Sequence, residues 1–61
     1  CKYGEVPAAL VPQQIRDYVA KNFAGRKIVS IDRDKRDWEV KLDNGLDLKF
    51  DLHFRLIEID D

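Results

Sequence analysis

The stretch that decides the fold of this chain is Pro12-Gln-Gln-Ile-Arg-Asp-Tyr-Val-Ala-Lys-Asn-Phe-Ala-Gly25. Within it, Ile15, Tyr18, Val19 and Phe23 recur at steps of three and four residues, and polar or small residues fill most of the other positions. This spacing predicts an amphipathic α-helix of about three turns with one apolar side.

Both ends of the predicted helix carry residues that suit helix termini. Pro12 fits the first helical position, because the N–H that proline lacks is not needed there. Gly25 fits a left-handed cap that ends the helix. Residues 1–10 contain a glycine and a proline and show no period, so we expect an extended or irregular lead-in, with Leu10 or Val11 turned towards the core.

A segment that is β-branched and then charged follows the helix at 27–34, and apolar and polar residues alternate at 38–42 and 46–52. Alternation with a period of two predicts strands of an antiparallel sheet that has one buried and one solvent-exposed face. Asn44-Gly45 separates two of these strands and tolerates the positive φ values that a tight hairpin requires. The strands on either side of it are therefore predicted to pair.

The last predicted strand is harder to orient than the others. Ile57 and Ile59 lie on one side of it, whereas Phe54 and Leu56 lie on the other. A β-bulge near Arg55 would turn Phe54 and Leu56 back to the core. Alternatively, these two side chains stay exposed and mark an interface.

These elements predict an α+β fold in which one N-terminal helix packs on a four-stranded antiparallel meander sheet. A three-turn helix and an isolated hairpin are both marginal in water, so each must cover the other. The predicted core consists of the following residues: Val11, Ile15, Tyr18, Val19, Phe23, Val29, Ile31, Trp38, Val40, Leu42, Leu46, Leu48, Phe50, Ile57 and Ile59.

The length of the chain limits how stable the fold can be. Its 61 residues make at most one domain, and a domain of this size buries only about 60% of the surface that its unfolded form exposes. Small domains compensate with disulfides, metals or association. With one cysteine in the sequence an internal disulfide is impossible, so we expect a homodimer or pairing with a missing partner segment.

The charge balance excludes some classes of partner. Eleven basic and twelve acidic side chains give a net charge of −1, which offers no electrostatic footprint for nucleic acid. No apolar run approaches the roughly 18 to 20 residues of a membrane span.

Cys1 is interpreted as a processed or chosen start of the chain, with an intermolecular disulfide and a lipoprotein anchor as the alternatives.

One acidic run has a spacing that resembles a calcium loop. It is Asp32-Arg33-Asp34-Lys35-Arg36-Asp37. An EF-hand loop needs glycine at its sixth position, which Asp37 occupies here, and a bidentate glutamate at its twelfth. Cationic side chains also alternate with the acids, so the run is predicted to be a charged hairpin end, and no metal ligands are assigned.

Other polar residues do not form a catalytic group. Asp43, Asp47 and Asp51 could serve general acid–base chemistry only in a dry pocket. Lys41 and Lys49, on the same face, instead favour cross-strand ion pairs.

The remaining candidates are aromatic or lie in turns. His53 is predicted to be a turn residue, and no nucleophile accompanies it. Trp38 and Tyr18 are in phase with the core, so packing is favoured over ligand binding. We therefore predict no catalytic residue, no cofactor and no enzymatic activity.

The pattern of apolar and turn residues resembles the PepSY-like family, also called β-lactamase-inhibitor-like. The residues that carry the resemblance are Pro12-x-x-Ile15-x-x-Tyr18-Val19-x-x-x-Phe23-x-Gly25-x-x-Ile28-Val29-x-Ile31, Trp38-Glu39-Val40-x-Leu42-x-Asn44-Gly45-x-x-Leu48-x-Phe50-Asp51 and Leu56-Ile57-x-Ile59-Asp60. The resemblance runs from Val11 to Asp61. Two departures are Ala24, where proline is common in the family, and Trp38, where tyrosine is frequent.

The resemblance implies a periplasmic or secreted protein of Bacteroidetes-type bacteria built from two such repeats. This chain would then be one repeat, the C-terminal one. Residues 1–10 would be the lead-in or inter-repeat connector, with residues 1–4 as the tail of a preceding strand. Residues 11–61 would be the αββββ repeat. The resemblance supplies no catalytic residues, since a shared fold does not fix function.

Two functions follow as hypotheses. The first is a non-enzymatic interaction or inhibitor-like module with a protein partner. It would present either the open sheet face (Glu39, Lys41, Asp47, Lys49, Asp51) or the strand that bears Phe54 and Leu56. The second is a small-ligand-binding domain formed between two repeats.

Overall fold

The computed structural model of the chain describes residues 5–61. Their order is a 3-10 helix at Ala8–Leu10, helix α1 at Gln13–Asn22, and strands β1 at Ile28–Arg33, β2 at Asp37–Leu42, β3 at Asp47–Asp51 and β4 at Leu56–Asp60. The strands form one sheet in the order β1-β2-β3-β4, and every neighbouring pair is antiparallel. The predicted α+β fold is therefore confirmed.

Helix α1 begins directly after Pro12 and ends where the sequence predicts. The N–H of Phe23 donates to the carbonyl of Val19 at 2.8 Å and closes the last turn. Gly25 then takes a φ of 84°, a left-handed value that glycine adopts without a steric penalty. The chain turns there and enters β1.

The lead-in is more ordered than the sequence predicted. It contains one turn of 3-10 helix, and the N–H of Val6 donates to the carbonyl of Ile28 at 2.8 Å. Of the two candidates for the core, Val11 is buried and Leu10 is 65% exposed. Residues 1–4, including the Cys1 of the sequence prediction, lie outside the described residues.

The core lies between α1 and the first three strands. Its eight buried residues are Val11, Ile15, Val19, Ile28, Val40, Leu42, Leu48 and Phe50. None of them belongs to β4, so the helix covers one side of β1 to β3 and leaves β4 largely uncovered. Tyr18 and Phe23 pack against the core from a half-buried position.

A register shift in β1 explains one wrong core assignment. Ile28 faces Leu42, but Ser30 faces Lys41, so Val29 is an extra residue between them. Ile28 is therefore buried in the place predicted for Val29, which is only half-buried.

A second irregularity, in β4, corrects the prediction for the last strand. Phe50 faces Leu56 and Lys49 faces Glu58, so Ile57 is the extra residue of the bulge. The bulge exists, but it lies two residues beyond Arg55.

The bulge decides which apolar side chains of the last segment reach the core. Phe54 and Leu56 are half-buried and pack against the core, so they do not stay exposed as the second alternative predicted. Their part in partner binding stays a prediction. Ile57 and Ile59 were predicted to be buried but are 55% and 48% exposed. Ile59 faces the buried Leu48, yet β4 is an edge strand outside the cover of α1.

The turn between β2 and β3 has a three-residue loop. The N–H of Leu42 donates to the carbonyl of Leu46 at 2.9 Å, and the N–H of Gly45 donates to the carbonyl of Leu42 at 3.1 Å. Gly45 has a φ of 90°, but Asn44 does not have a positive φ. The loop is thus a turn followed by a left-handed glycine, not a two-residue turn with two positive φ values.

The turn between β3 and β4 repeats this geometry with a different residue. The N–H of Asp51 donates to the carbonyl of Arg55 at 2.9 Å, and the N–H of Phe54 donates to the carbonyl of Asp51 at 3.0 Å. Phe54 occupies the position that Gly45 has in the preceding turn, with a φ of 65°. A bulky residue with such a φ is strained by about 1–3 kcal/mol.

Aromatic packing offsets the strain at Phe54. Its ring stacks on Trp38, with the centroids 6.2 Å apart and the planes inclined by 29°. The guanidinium of Arg33 lies 5.3 Å from the centre of the Trp38 ring, close enough for a cation–π contact. The strained backbone therefore places the Phe54 ring where it stacks on Trp38 and packs against the core.

Substituting Phe54 by glycine and by alanine separates the backbone strain at this position from the stacking of its ring on Trp38. Both variants lose the Trp38 stack and should be destabilised by about 1–3 kcal/mol. Because glycine also relieves the positive φ, we expect Phe54→Gly to be more stable than Phe54→Ala by about 1 kcal/mol. Urea unfolding followed by circular dichroism measures the difference, and an alanine variant as stable as the glycine variant would show that the turn is unstrained.

Candidate functional site

The sheet face opposite α1 carries the polar residues of the alternating strands. Because directly paired residues point to the same face, the register groups most of these side chains into two rows that cross the sheet, and it adds the pair Asp37 and Asp51 at one end of the same face. One row is Asp32, Glu39, Lys49 and Glu58, and the other is Ser30, Lys41, Asp47 and Asp60.

These rows make the open face acidic. Together they hold five carboxylates and two lysines, although the whole chain has a net charge of only −1. Two pairs, Asp32 with Glu39 and Asp47 with Asp60, place acids directly opposite acids. We call the eight residues of the two rows the acidic face.

The two lysines of the acidic face are held only loosely. Lys41 lies 3.8 Å from Asp47, and Lys49 lies 3.8 Å from Glu58. The four side chains are between 35% and 57% exposed, and exposed pairs of this kind contribute about 0–1 kcal/mol. These side chains can therefore form ion pairs with a partner instead, with little loss of folding stability.

A shallow depression of about 280 Å³ lies within the acidic face, lined by Ser30, Asp32, Glu39, Val40, Lys41 and Asp47. Its polar groups are solvated, whereas general acid–base catalysis requires a carboxyl group whose pKa is raised in a dry site. The arrangement suits surface recognition.

Four of the five residues predicted for the open face are brought together there: Glu39, Lys41, Asp47 and Lys49. The sequence analysis placed Glu58 near the acids of this face but left it out of the candidate surface, and it did not consider Asp32 and Asp60 as members of the face. The period-two spacing of these acids is visible in the sequence. Their cross-strand partners in β2 and β3, however, depend on the two register shifts.

Asp51, the fifth predicted residue, lies opposite Asp37 on the same face and also organises the β3–β4 turn. Its Oδ1 accepts the N–H of His53 at 2.8 Å and the N–H of Arg55 at 2.9 Å, and its Oδ2 accepts from Nε of Arg55 at 3.0 Å. The backbone N–H of Arg55 is the main cause that lowers the pKa of Asp51 below its ordinary value, with the N–H of His53 and the Arg55 guanidinium adding to it. His53 is the turn residue that the sequence predicted.

The hairpin end between β1 and β2 gathers three carboxylates. Asp34, Asp37 and Glu39 each offer an oxygen within 4.8 Å of the others. Asp37 also has an Oδ1 that is shielded from solvent and accepts no hydrogen bond from residues 5–61. The sequence analysis had considered Asp34 and Asp37 but not Glu39, whose strand parity brings it beside Asp37.

A separate groove of about 320 Å³ runs between the lead-in, α1 and the start of β1. Its lining is mostly apolar and includes Val6, Phe23 and Ala24, with Arg16 and Arg26 as cationic members. Nε of Arg16 donates to the carbonyl of Val11 at 3.2 Å, and Arg26 lies 3.7 Å from Asp43, so both cations already have partners.

Comparison with protein families identifies the group to which this fold belongs. A family model described as "Putative beta-lactamase-inhibitor-like, PepSY-like" matches residues 1–58. The chain belongs to the PepSY-like family. The resemblance inferred from the apolar and turn residues is thus confirmed.

Solved structures similar to this PepSY-like chain come from Bacteroides. A periplasmic protein of the DUF2874 family from Bacteroides vulgatus is 52% identical, with a TM-score of 0.92 over 100% of this chain and 48% of its own. A "putative calcium-regulated periplasmic protein" from Bacteroides thetaiotaomicron is 51% identical, with a TM-score of 0.90 over 93% of this chain and 45% of its own. A third, a periplasmic protein of unknown function from Bacteroides vulgatus, is 36% identical, with a TM-score of 0.91 over 100% of this chain and 48% of its own.

The PepSY-like chain therefore spans about half the length of these solved relatives. No curated protein matches it. Among residues 5–61, no helix has the length and apolar character needed to cross a membrane.

The hydrogen bonds of Asp51 predict a pH-dependent contribution to stability. Because folding lowers the pKa of Asp51, its carboxylate stabilises the fold fully above the unfolded-chain pKa of about 4. This contribution is lost as the pH falls through the lower pKa of the folded state. We expect Asp51→Asn to be less stable than the native chain at pH 7, with a difference that shrinks between pH 5 and pH 2.

Urea unfolding at a series of pH values measures this difference. Arg55→Ala is the matched control: it keeps both backbone donors and removes only the guanidinium, so it should retain most of the pH dependence. A stability difference for Asp51→Asn that stays constant from pH 5 to pH 2 would contradict the assignment.

Proposed function

We propose that this chain is a non-enzymatic, inhibitor-like interaction module of the bacterial periplasm that binds a basic protein surface through its acidic face. The single observation that carries the proposal is the concentration of five carboxylates and two lysines on one open sheet face. A partner surface rich in lysine and arginine complements this charge.

The geometry of the sheet supports a protein as the partner. The face is broad, and its depression is shallow and polar, whereas small-molecule sites are usually concave and mostly apolar. Its ion pairs are exposed at 3.8 Å, so a partner can replace them without a large desolvation cost.

The relatives support the compartment and the absence of catalysis. All three solved relatives are described as periplasmic, and none is described with a catalytic activity. The family description refers to inhibitor-like proteins, which act by binding.

A small-ligand site between two repeats is the second candidate function. The mostly apolar groove beside the lead-in favours it, because such a groove has the volume and lining of a weak ligand site. In this case a small compound should raise the melting temperature in a saturable manner, and substitutions on the acidic face should have no effect on that rise.

Removing charge from the acidic face tests the protein-binding proposal. We expect Asp32→Asn, Glu39→Gln and Asp47→Asn together to reduce the capture of periplasmic proteins at least tenfold, because the removed carboxylates supply the complementary charge. Quantitative mass spectrometry of cross-linked extract measures the capture, and binding by the native chain should weaken between 0.1 M and 0.5 M salt.

The matched control removes three carboxylates that lie off the acidic face, through Glu5→Gln, Asp17→Asn and Asp43→Asn. This variant should capture the same proteins as the native chain. Equal loss in both variants would show that net charge matters and the acidic face does not, and equal capture by all three proteins would rule out the proposed surface.

One relative is described as calcium-regulated, and the hairpin end of this chain holds three carboxylates within 4.8 Å. We propose that this hairpin end is a charged turn that binds no cation in the isolated chain. Calcium takes six to eight oxygen ligands, the three carboxylates supply only part of that number, and Lys35 and Arg36 lie between them in sequence.

Without a cation, the three carboxylates repel one another. We therefore expect Asp37→Asn to leave stability unchanged or raise it by up to about 0.5 kcal/mol. Addition of 5 mM calcium should leave the melting temperature of both proteins unchanged. A saturable rise in the native chain that Asp37→Asn abolishes would instead establish a calcium site.

A further inference from the structure

The turn between β2 and β3 contains an asparagine that is followed by glycine. Asparagine is a thermolabile residue, because the backbone nitrogen of the next residue can attack its side-chain amide. Glycine in the next position has no side chain to obstruct the attack. Asn44 and Gly45 are both exposed, and a Cβ atom placed on Gly45 would meet no atom of residues 5–61 within 4 Å, its chain neighbours aside. Water and hydroxide ion therefore have free access to this peptide bond.

The side chain of Asn44 is held close to the nitrogen that would attack it. Its Oδ1 accepts the N–H of Leu46 at 3.1 Å, so the side chain curls over the intervening residue, Gly45, as in an Asx turn. The same contact places a donor on the oxygen that gains negative charge when Cγ is attacked. A donor in this position stabilises that charge, as in an oxyanion hole. The local fold thus favours the attack.

One hydrogen bond of the turn opposes the attack. The N–H of Gly45 donates to the carbonyl of Leu42 at 3.1 Å, and this nitrogen must lose its proton before it acts as a nucleophile. The hydrogen bond must therefore open first. Opening a single exposed hydrogen bond lowers a rate by no more than about tenfold. The turn consequently gives Asn44 little protection.

We propose that Asn44 is a site of spontaneous deamidation in the folded chain. The deprotonated nitrogen of Gly45 forms a bond to Cγ of Asn44, and the side-chain nitrogen takes up a proton and leaves as ammonia. The product is a cyclic succinimide. Water then opens the ring at one of its two carbonyl carbons, which gives aspartate or isoaspartate at position 44. Water is the only co-reactant.

The two products differ in what they do to the turn. Aspartate keeps the oxygen that accepts the N–H of Leu46, and its negative charge strengthens that hydrogen bond. In isoaspartate the backbone runs through the former side-chain carbon, so the loop gains one backbone atom. Because loop length fixes the register of a hairpin, the hydrogen bonds that join Leu42 to Gly45 and Leu46 no longer fit. Isoaspartate therefore loosens the pairing of β2 with β3.

Incubation of the chain at pH 7 and pH 9, folded and in concentrated urea, tests the proposal. Trypsin cleaves after lysine and arginine, so a brief digestion at mildly acidic pH releases residues 22–26 and 42–49 as separate peptides. The first peptide contains Asn22, which is followed by Phe23 and serves as the internal control. Mass spectrometry measures the replacement of amide by acid in each peptide, and an isoaspartyl methyltransferase identifies the isoaspartate form.

In the folded chain, Asn44 should convert at a rate within tenfold of its rate in urea. The rate should rise with pH, because the attacking nitrogen must lose a proton. Asn22 should convert at least tenfold more slowly than Asn44, since Phe23 obstructs the attack and the Asn22 amide donates to the carbonyl of Tyr18 at 3.1 Å. The variant Asn44→Asp should unfold at the same urea concentration as the native chain, and the isolated isoaspartate form at a lower one.

Three results would overturn the proposal. Conversion of Asn44 that is more than tenfold slower in the folded chain than in urea would show that the turn protects this residue. Conversion of Asn22 as fast as that of Asn44 would show that neither the glycine nor the Asx turn directs the reaction. An isoaspartate form that unfolds at the same urea concentration as Asn44→Asp would contradict the effect assigned to loop length.

Discussion

The structure depends on the contact between the apolar stripe of α1 and the first three strands. Ile15 and Val19 are buried against a sheet whose central side chains, Val40, Leu48 and Phe50, are also fully or almost fully buried. At about 25 cal/mol per Å² of apolar surface, this contact is the main favourable term available to so short a chain. This contact is narrow, because one short helix cannot cover all four strands of the sheet. The sheet is therefore left with an open face and an uncovered edge strand.

The fold class could be predicted from the sequence because it depends on repeated signals. The spacing of the helical residues, the alternation in the strands and the glycine after the helix all indicate the same architecture, and agreement between levels is what specifies a fold. The errors arose where one residue changes the register. Val29 and Ile57 are each an extra residue in a strand, and one such residue moves its neighbours to the other face. No local propensity marks either position.

The candidate site was only partly predictable for the same reason. The acids of β2 and β3 follow a regular alternation, so their common face could be inferred from the sequence. The acids of β1 and β4 lie on the opposite side of their strands from Ile31 and Ile59, but their alignment with the rows of β2 and β3 depends on the register. The role of Asp51 in the turn was missed because it depends on the backbone N–H groups there. The nearly neutral composition also concealed the acidic face, since a net charge averages over a surface on which the two signs are segregated.

The meander order of the sheet has a consequence for how the chain acquires its structure. Each strand pairs with its neighbour in sequence, and the two turns that flank β3 are three-residue loops. The strand pairings are therefore local in sequence, and low contact order is associated with rapid folding. During synthesis, such a segment can complete its ladder of hydrogen bonds soon after its last residue emerges. In a polypeptide with several segments of this kind, each can form separately before it meets the next, which limits entanglement between them.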